Sequence, residues 1–121
     1  MPLSHIRFLT HQKKQVLFVD LSNCTAEEVE KIVRTVPDLV SSQPPKSVLI
    51  LSDFTGATFD HNAIRAMQES AVFDKPFVKK SAWIGAANFP QLLYENLKTF
   101  SGRDFPVFKS RHEALDWLVK D

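Results

Sequence analysis

The chain has 121 residues, of which 44% are hydrophobic and 24% charged, with 15 basic residues against 14 acidic ones. This length suits one domain with a buried core. The net charge of +1 lacks the basic excess of a nucleic-acid-binding protein, so no nucleic acid is expected as a partner. No segment reaches the roughly 20 apolar residues of a membrane span. The lone Cys24 fits a reducing, cytoplasmic location.

The first third of the chain predicts a hairpin followed by a helix. Residues 5–10 and 15–21 both have strand patterns, and the short polar turn between them favours antiparallel pairing. Thr25 and Glu28 then match a capping box, which opens a helix with apolar residues at helical spacing. Pro37 interrupts that spacing, so the helix either kinks there or restarts as a second short segment.

The middle of the chain, from Lys46 to Met67, predicts a buried strand, a short loop and a helix. Residues 48–51 are apolar at every position, which is typical of a central strand covered on both faces. Asp60 occupies the N-cap position of the helix that follows. The loop between strand and helix is therefore the first place to look for a functional surface.

The last third continues the alternation of strands and helices. Residues 81–86 predict a buried strand, and Asn88 is expected to cap the next helix. The apolar face of that helix is predicted to consist of Phe89, Leu92, Leu93, Leu97 and Phe100. Pro106 places the short strand 105–109 at a sheet edge, because proline cannot donate to a neighbouring strand.

A second capping box, at Ser110 and Glu113, opens the final helix. The complete order predicts one α/β domain over residues 1–121. We expect a mostly parallel five-stranded sheet, an N-terminal antiparallel hairpin and about four helices.

Two segments resemble the SpoIIAA-like branch of the STAS domains (sulfate-transporter and anti-sigma-factor-antagonist domains). VLILSDFTGATFDHNAI resembles the strand–loop–helix unit of the family, and HEALDWL resembles the helix that closes the branch. The resemblance implies a bacterial, cytoplasmic interaction domain with no enzyme active site and no cofactor. In the antagonists a phosphorylatable serine follows the loop's aspartate. Here Asp60 matches the aspartate, and His61 stands where the serine would be.

The loop and the start of the following helix are accordingly predicted to bind a protein partner or a second copy of this chain as a homodimer. The predicted surface consists of Asp53, Phe54, Thr55, Gly56, Thr58, Phe59, Asp60 and His61. Because His61 replaces the serine, Thr58 or Thr55 would be the phospho-acceptor if the switch persists.

Four phenylalanines in or beside predicted loops leave an alternative open. Phe54, Phe59, Phe73 and Phe77 either fold back as satellite core or line an apolar pocket. A pocket would make the protein a carrier of a small amphipathic ligand, such as a lipid or an organic acid.

Residue spacing predicts neither a metal site nor a catalytic site. None of the four histidines lies at ligand spacing from a cysteine or a carboxylate, and no glycine-rich phosphate loop is present. Asp20 and Asp53 both end strands, as in phosphoacceptor receiver domains, but no second acidic residue adjoins Asp20. The competing interpretation of both aspartates is that they are turn residues.

Overall fold

In the computed structural model, which describes residues 5–120, helices and strands alternate after an initial hairpin. The strands are β1 (Ile6–His11), β2 (Lys14–Asp20), β3 (Val48–Asp53), β4 (Val78–Ile84) and β5 (Val107–Phe108). The helices are α1 (Ala26–Val33), α2 (Val36–Val40), α3 (His61–Asp74), α4 (Gln91–Ser101) and α5 (Arg111–Val119). The sheet order is β1-β2-β3-β4-β5, antiparallel for the first pair and parallel for the others. The predicted α/β architecture is confirmed.

The hairpin closes through a two-residue turn with an unusual sequence. Gln12 and Lys13 both have positive φ angles, of 50° and 68°. Positive φ at both central positions is the geometry of the turn that matches the twist of a β-hairpin, although Asn and Gly are the residues that usually adopt it. The pairing of β1 with β2 therefore tolerates a turn that lacks the usual sequence signal.

Local capping signals place three of the helix starts. The capping box at Thr25 is complete, and Asp60 accepts a hydrogen bond from the Ala63 amide at 2.8 Å. Ser110 accepts from the Glu113 amide at the start of α5. At Pro37 the chain restarts instead of kinking, since α1 ends at Val33 and Pro37 falls in the first turn of α2. This restart adds a short fifth helix to the four that were predicted.

Helix α4 corrects two predictions. Asn88 does not cap it, because the helix begins at Gln91 with Pro90 in the cap position. Of the five residues predicted to form its buried face, only Leu97 is fully buried, and Leu92 and Phe100 are 72% and 64% exposed. The reason lies in the packing of α4, whose main neighbour is a single helix, α3.

Two apolar layers cover the two faces of the sheet. Ile50 belongs to the layer shared with α1 to α4, whereas Leu49 and Leu51 belong to the layer shared with α5. Successive side chains of a strand point to opposite faces, so the apolar run in β3 contributes to both layers. This arrangement confirms the prediction of a central strand that is buried on both sides. No helix among the described residues is long and apolar enough to cross a membrane.

Candidate functional site

The loop from Asp53 to His61 begins with a side-chain-capped turn. Asp53 Oδ1 accepts hydrogen bonds from the amide and the hydroxyl of Thr55, at 2.9 and 2.7 Å. Asp20, at the end of the adjacent strand, accepts from the amide and the hydroxyl of Ser22 in the same way. Both carboxylates therefore act as turn caps, as aspartates commonly do after strands. This arrangement leaves no acidic pocket of the receiver type between them.

Backbone hydrogen bonds tie this loop to the loop that follows β2. The Asn23 amide donates to the Thr55 carbonyl at 2.7 Å, and the Thr58 amide donates to the Cys24 carbonyl at 3.0 Å. Gly56 has a φ of +70°, and a side chain at this position would overlap the side-chain amide of Asn23. The two loops thus form one braced unit at the carboxyl ends of β2 and β3.

The two aromatic residues of the loop point into the protein. Phe54 is buried and its ring lies 4.5 Å from Trp83, while the half-buried Phe59 lies 4.9 Å from Phe89. These rings form part of a larger aromatic cluster. The cluster consists of Phe54, Phe59, Trp83, Phe89, Tyr94 and Phe105.

The other two phenylalanines of the predicted pocket lie elsewhere. The rings of Phe73 and Phe77 are 6.2 Å apart, and no ring contact joins this pair to the aromatic cluster. Phe73 is exposed on α3. The structure therefore brings Phe54 and Phe59 together and leaves Phe73 and Phe77 as a separate pair.

The outward side of the loop is polar. Thr55, Gly56, Thr58, Asp60 and His61 are all exposed. The Thr58 hydroxyl makes one long hydrogen bond, 3.4 Å, to the Cys24 carbonyl. The His61 side chain makes no hydrogen bond to any residue between 5 and 120. Over the same range, no group of three or more His, Cys, Asp or Glu side chains could hold a metal ion.

A cavity of about 70 Å³ lies beneath Phe54, between the sheet and the helices. Strands β2, β3 and β4 line one side of it, and helices α1 to α4 line the other. Most of its lining is apolar, including Val19, Ile50, Met67, Trp83, Leu97 and Phe105. Five polar residues also line it, namely Ser52, Ser70, Asp74, Ser81 and Arg103.

Asp74 is the most unusual of these residues, because it is only 3% exposed. Its Oδ2 accepts a hydrogen bond from Ser70 at 2.8 Å, but its Oδ1 has no hydrogen-bond partner among residues 5–120. Burial raises the pKa of the Asp74 carboxyl to about 6, against smaller opposing effects of the Ser70 hydrogen bond and the Arg103 charge. Burying a carboxylate is costly unless its oxygens are hydrogen-bonded, and Oδ1 lacks such a bond.

Arg103 lies at the same cavity and is held by its own hydrogen bonds. Its two terminal nitrogens donate to the Ala71 carbonyl at 3.1 Å and to Ser81 Oγ at 2.6 Å. Its guanidinium carbon is 4.9 Å from the centre of the Phe105 ring. Burial lowers the pKa of Arg103, and the nearby charge of Asp74 opposes that shift. The Arg103 side chain is therefore held in place by Ala71 and Ser81, and it does not donate a hydrogen bond to Asp74 Oδ1.

Asp74→Asn is expected to change the pH dependence of stability. Because the folded pKa of Asp74, about 6, exceeds its ordinary value of 3.8, the parent loses stability as the pH rises from 4 to 6. The loss amounts to about 3 kcal/mol, and the amide side chain does not incur it. Urea denaturation at pH 4, 5, 6 and 7 should show that the free energy of unfolding of the variant, relative to that of the parent, increases as the pH rises.

Asp116→Asn is the matched control for this measurement. The hydrogen bond from His11 lowers the pKa of the Asp116 carboxyl, so this carboxylate stabilises the fold at neutral pH and loses its contribution in acid. The stability of Asp116→Asn relative to the parent should therefore change with pH in the opposite direction. A pH-independent difference between Asp74→Asn and the parent would show that Asp74 ionises normally.

Comparison with solved structures identifies a similar fold. A crystal structure of an uncharacterized protein of the DUF3478 family from Shewanella loihica PV-4, described as having a SpoIIAA-like fold, matches with a TM-score of 0.72. The match has 19% sequence identity and covers 93% of this chain and 91% of that one. No protein-family model matches the sequence, and neither does any curated protein. The polypeptide described here therefore has a SpoIIAA-like fold.

Proposed function

We propose that this domain is a non-enzymatic binding protein that holds a small ligand in the cavity beneath Phe54. The observation that carries the proposal is the unpartnered Oδ1 of Asp74 at the cavity wall. Buried polar atoms in folded proteins are nearly always hydrogen-bonded, so an unpaired carboxylate oxygen beside a cavity points to a group that comes from outside the chain. Ligand sites typically combine an apolar lining with a few convergent polar groups, and this cavity has both.

Native mass spectrometry of protein purified from its own cells tests this function. The expected result is a bound small molecule that is absent after the protein has been unfolded and refolded. Ala71→Leu is the matched control, because Ala71 lines the cavity and a larger side chain there fills the space without removing Asp74 or Arg103. An identical, ligand-free mass for the parent and the variant would argue against the proposal.

A second candidate function is recognition of a protein partner, or of another copy of this chain, through residues 53–61 and the start of α3. The observation that favours it is the combination of a braced loop backbone with exposed polar side chains at Thr58, Asp60 and His61. A surface that is already ordered loses little conformational entropy on binding. Phosphorylation of Thr58 or Thr55 would add roughly −1.5 to −2 charge to this surface and regulate it.

Thr58→Glu is expected to weaken partner binding, because it adds a negative charge next to Asp60 on the proposed surface. Pull-down from the protein's own cells and light scattering after size exclusion would measure partner capture and self-association. Thr55→Glu tests the second acceptor position, and Thr99→Glu, at an exposed position on α4, is the control for added charge alone. Equal binding by all three variants and the parent would exclude this surface. Intact-mass spectrometry would show whether either threonine is phosphorylated.

A further inference from the structure

Asp74 and Arg103 form what we call the polar end of the cavity. This end offers a hydrogen-bond acceptor and several donors that are not bonded to each other. Within the described part of the chain, no group donates a hydrogen bond to Asp74 Oδ1. The Arg103 guanidinium has five N–H groups, and its hydrogen bonds to Ala71 and Ser81 use one N–H group on each terminal nitrogen. A ligand head group that donates a hydrogen bond to Asp74 and accepts one from Arg103 would give both residues their missing hydrogen-bond partner.

Charge balance selects among such head groups. At pH 7.5 the Asp74 carboxyl, with a pKa of about 6, is mainly ionised, and Arg103 is positively charged. The two charges at the polar end therefore cancel. A carboxylate ligand would place a second anion beside Asp74, and an amine or amidine would place a second cation beside Arg103. Like charges in a partly buried site are costly, so either ion binds less well than a neutral group.

The size of the cavity limits the buried part of the ligand. A cavity of about 150 Å³ holds a benzene molecule. The space here is about 70 Å³, and most of the residues that line it are apolar. By the same ratio the space holds about three non-hydrogen atoms, which is the size of an amide head group, so only a very short apolar attachment fits beside it.

We infer that the cavity binds an uncharged molecule whose head group both donates and accepts hydrogen bonds, with a primary amide as the simplest example. The amide N–H₂ donates to Asp74 Oδ1, and the amide oxygen accepts from the Arg103 guanidinium. The apolar attachment lies against Ile50, Leu97 and Phe105. This inference rests on the small-ligand function proposed above and names the chemistry of its ligand.

Three probes of nearly the same shape test the inference by charge alone: acetamide, acetate and acetamidinium. Each is titrated into ¹⁵N-labelled full-length protein at pH 7.5, and the amide signals of Ser70, Ala71, Asp74 and Arg103 report binding. Acetamide should bind about tenfold more tightly than either ion, since each ion leaves one buried group without its partner. An ion that binds as tightly as acetamide, or a complete absence of acetamide binding, would overturn the inference.

The Asp74→Asn variant should change which of the three probes binds most tightly. A general loss of structure would weaken binding of all three probes and would not change their order. The variant leaves Arg103 as the only charge at the polar end, so acetate should become the best of the three probes. Ala71→Leu should abolish binding of all three. An unchanged preference for acetamide in Asp74→Asn would show that Asp74 does not select the head group.

Xenon separates failure of this inference from failure of the proposed function. Xenon enters apolar cavities and has no head group. Signal shifts at the cavity residues under xenon pressure, without binding of acetamide, would overturn the amide assignment and leave a ligand cavity. An absence of shifts with xenon and with all three probes would contradict the ligand-binding function itself.

Discussion

Leu51→Asp is expected to unfold the domain. Leu51 is 0% exposed, and in the sheet it lies between Phe18 and Ala82 on the neighbouring strands. The layer beneath α5 that receives its side chain is built from buried apolar residues such as Val16 and Leu118, and the guanidinium groups of Arg7 and Arg111 lie over the Phe18 ring. A carboxylate placed there exchanges its hydration for contacts with buried apolar side chains, at a cost of several kcal/mol. That cost is comparable to the total stability of a typical domain, about 5–15 kcal/mol.

Circular dichroism during thermal denaturation would measure the effect, and Ile50→Asp is the matched control. Ile50 is the adjacent residue of the same strand, but its side chain faces the other layer and lines the cavity that Arg103 also lines. A carboxylate at position 50 therefore has space for water and a cation at the same cavity, and its cost should be smaller. A Leu51→Asp variant that melts near the parent temperature would contradict the burial of β3 on both faces.

Local sequence signals were sufficient for most of the fold. The apolar run in β3, the capping residues Thr25, Asp60 and Ser110, and the edge position of β5 all depend on short stretches of chain, and the structure agrees with each of them. Helix α4 differs, because apolar periodicity shows which face could be buried but not whether a neighbouring element covers it. Nothing local to Leu92 or Phe100 indicates that the main neighbour of α4 is a single helix, α3.

The cavity depends on contacts that residue patterns do not reveal. Asp74 ends α3 in the sequence Asp74-Lys75-Pro76, which by itself indicates only the end of a helix. Arg103 follows α4 and reaches back to the Ala71 carbonyl, across 32 positions of the chain. A partnerless buried carboxylate has no sequence signature, because its burial depends on how two distant helix ends pack. The braced loop was easier to locate, since Gly56 and Asp60 mark its turn and its end.

Gly85→Ala is expected to cost about 3 kcal/mol and to disrupt the loop from Asp53 to His61. Gly85 has a φ of +68°, where alanine is strained by roughly 1–3 kcal/mol. A methyl group there would also lie 2.6 Å from the Thr55 amide nitrogen and 2.8 Å from Asp53 Oδ1. Those atoms form the capped turn of the loop, so the clash falls on backbone that has little room to move and adds about 1–3 kcal/mol.

Gly102→Ala separates the clash from the backbone strain. Gly102 has nearly the same φ, +66°, but a methyl group there would meet only the flexible end of the Lys75 side chain, which can move aside. The free energy of unfolding of this control should therefore fall by about 1 kcal/mol. Urea denaturation should show that Gly102→Ala is clearly more stable than Gly85→Ala. Amide signals of Thr55 and Thr58 should shift in Gly85→Ala and stay in place in Gly102→Ala. Equal losses in the two variants would mean that the loop yields to the methyl group, and the loop would then lack the rigidity that partner recognition through residues 53–61 requires.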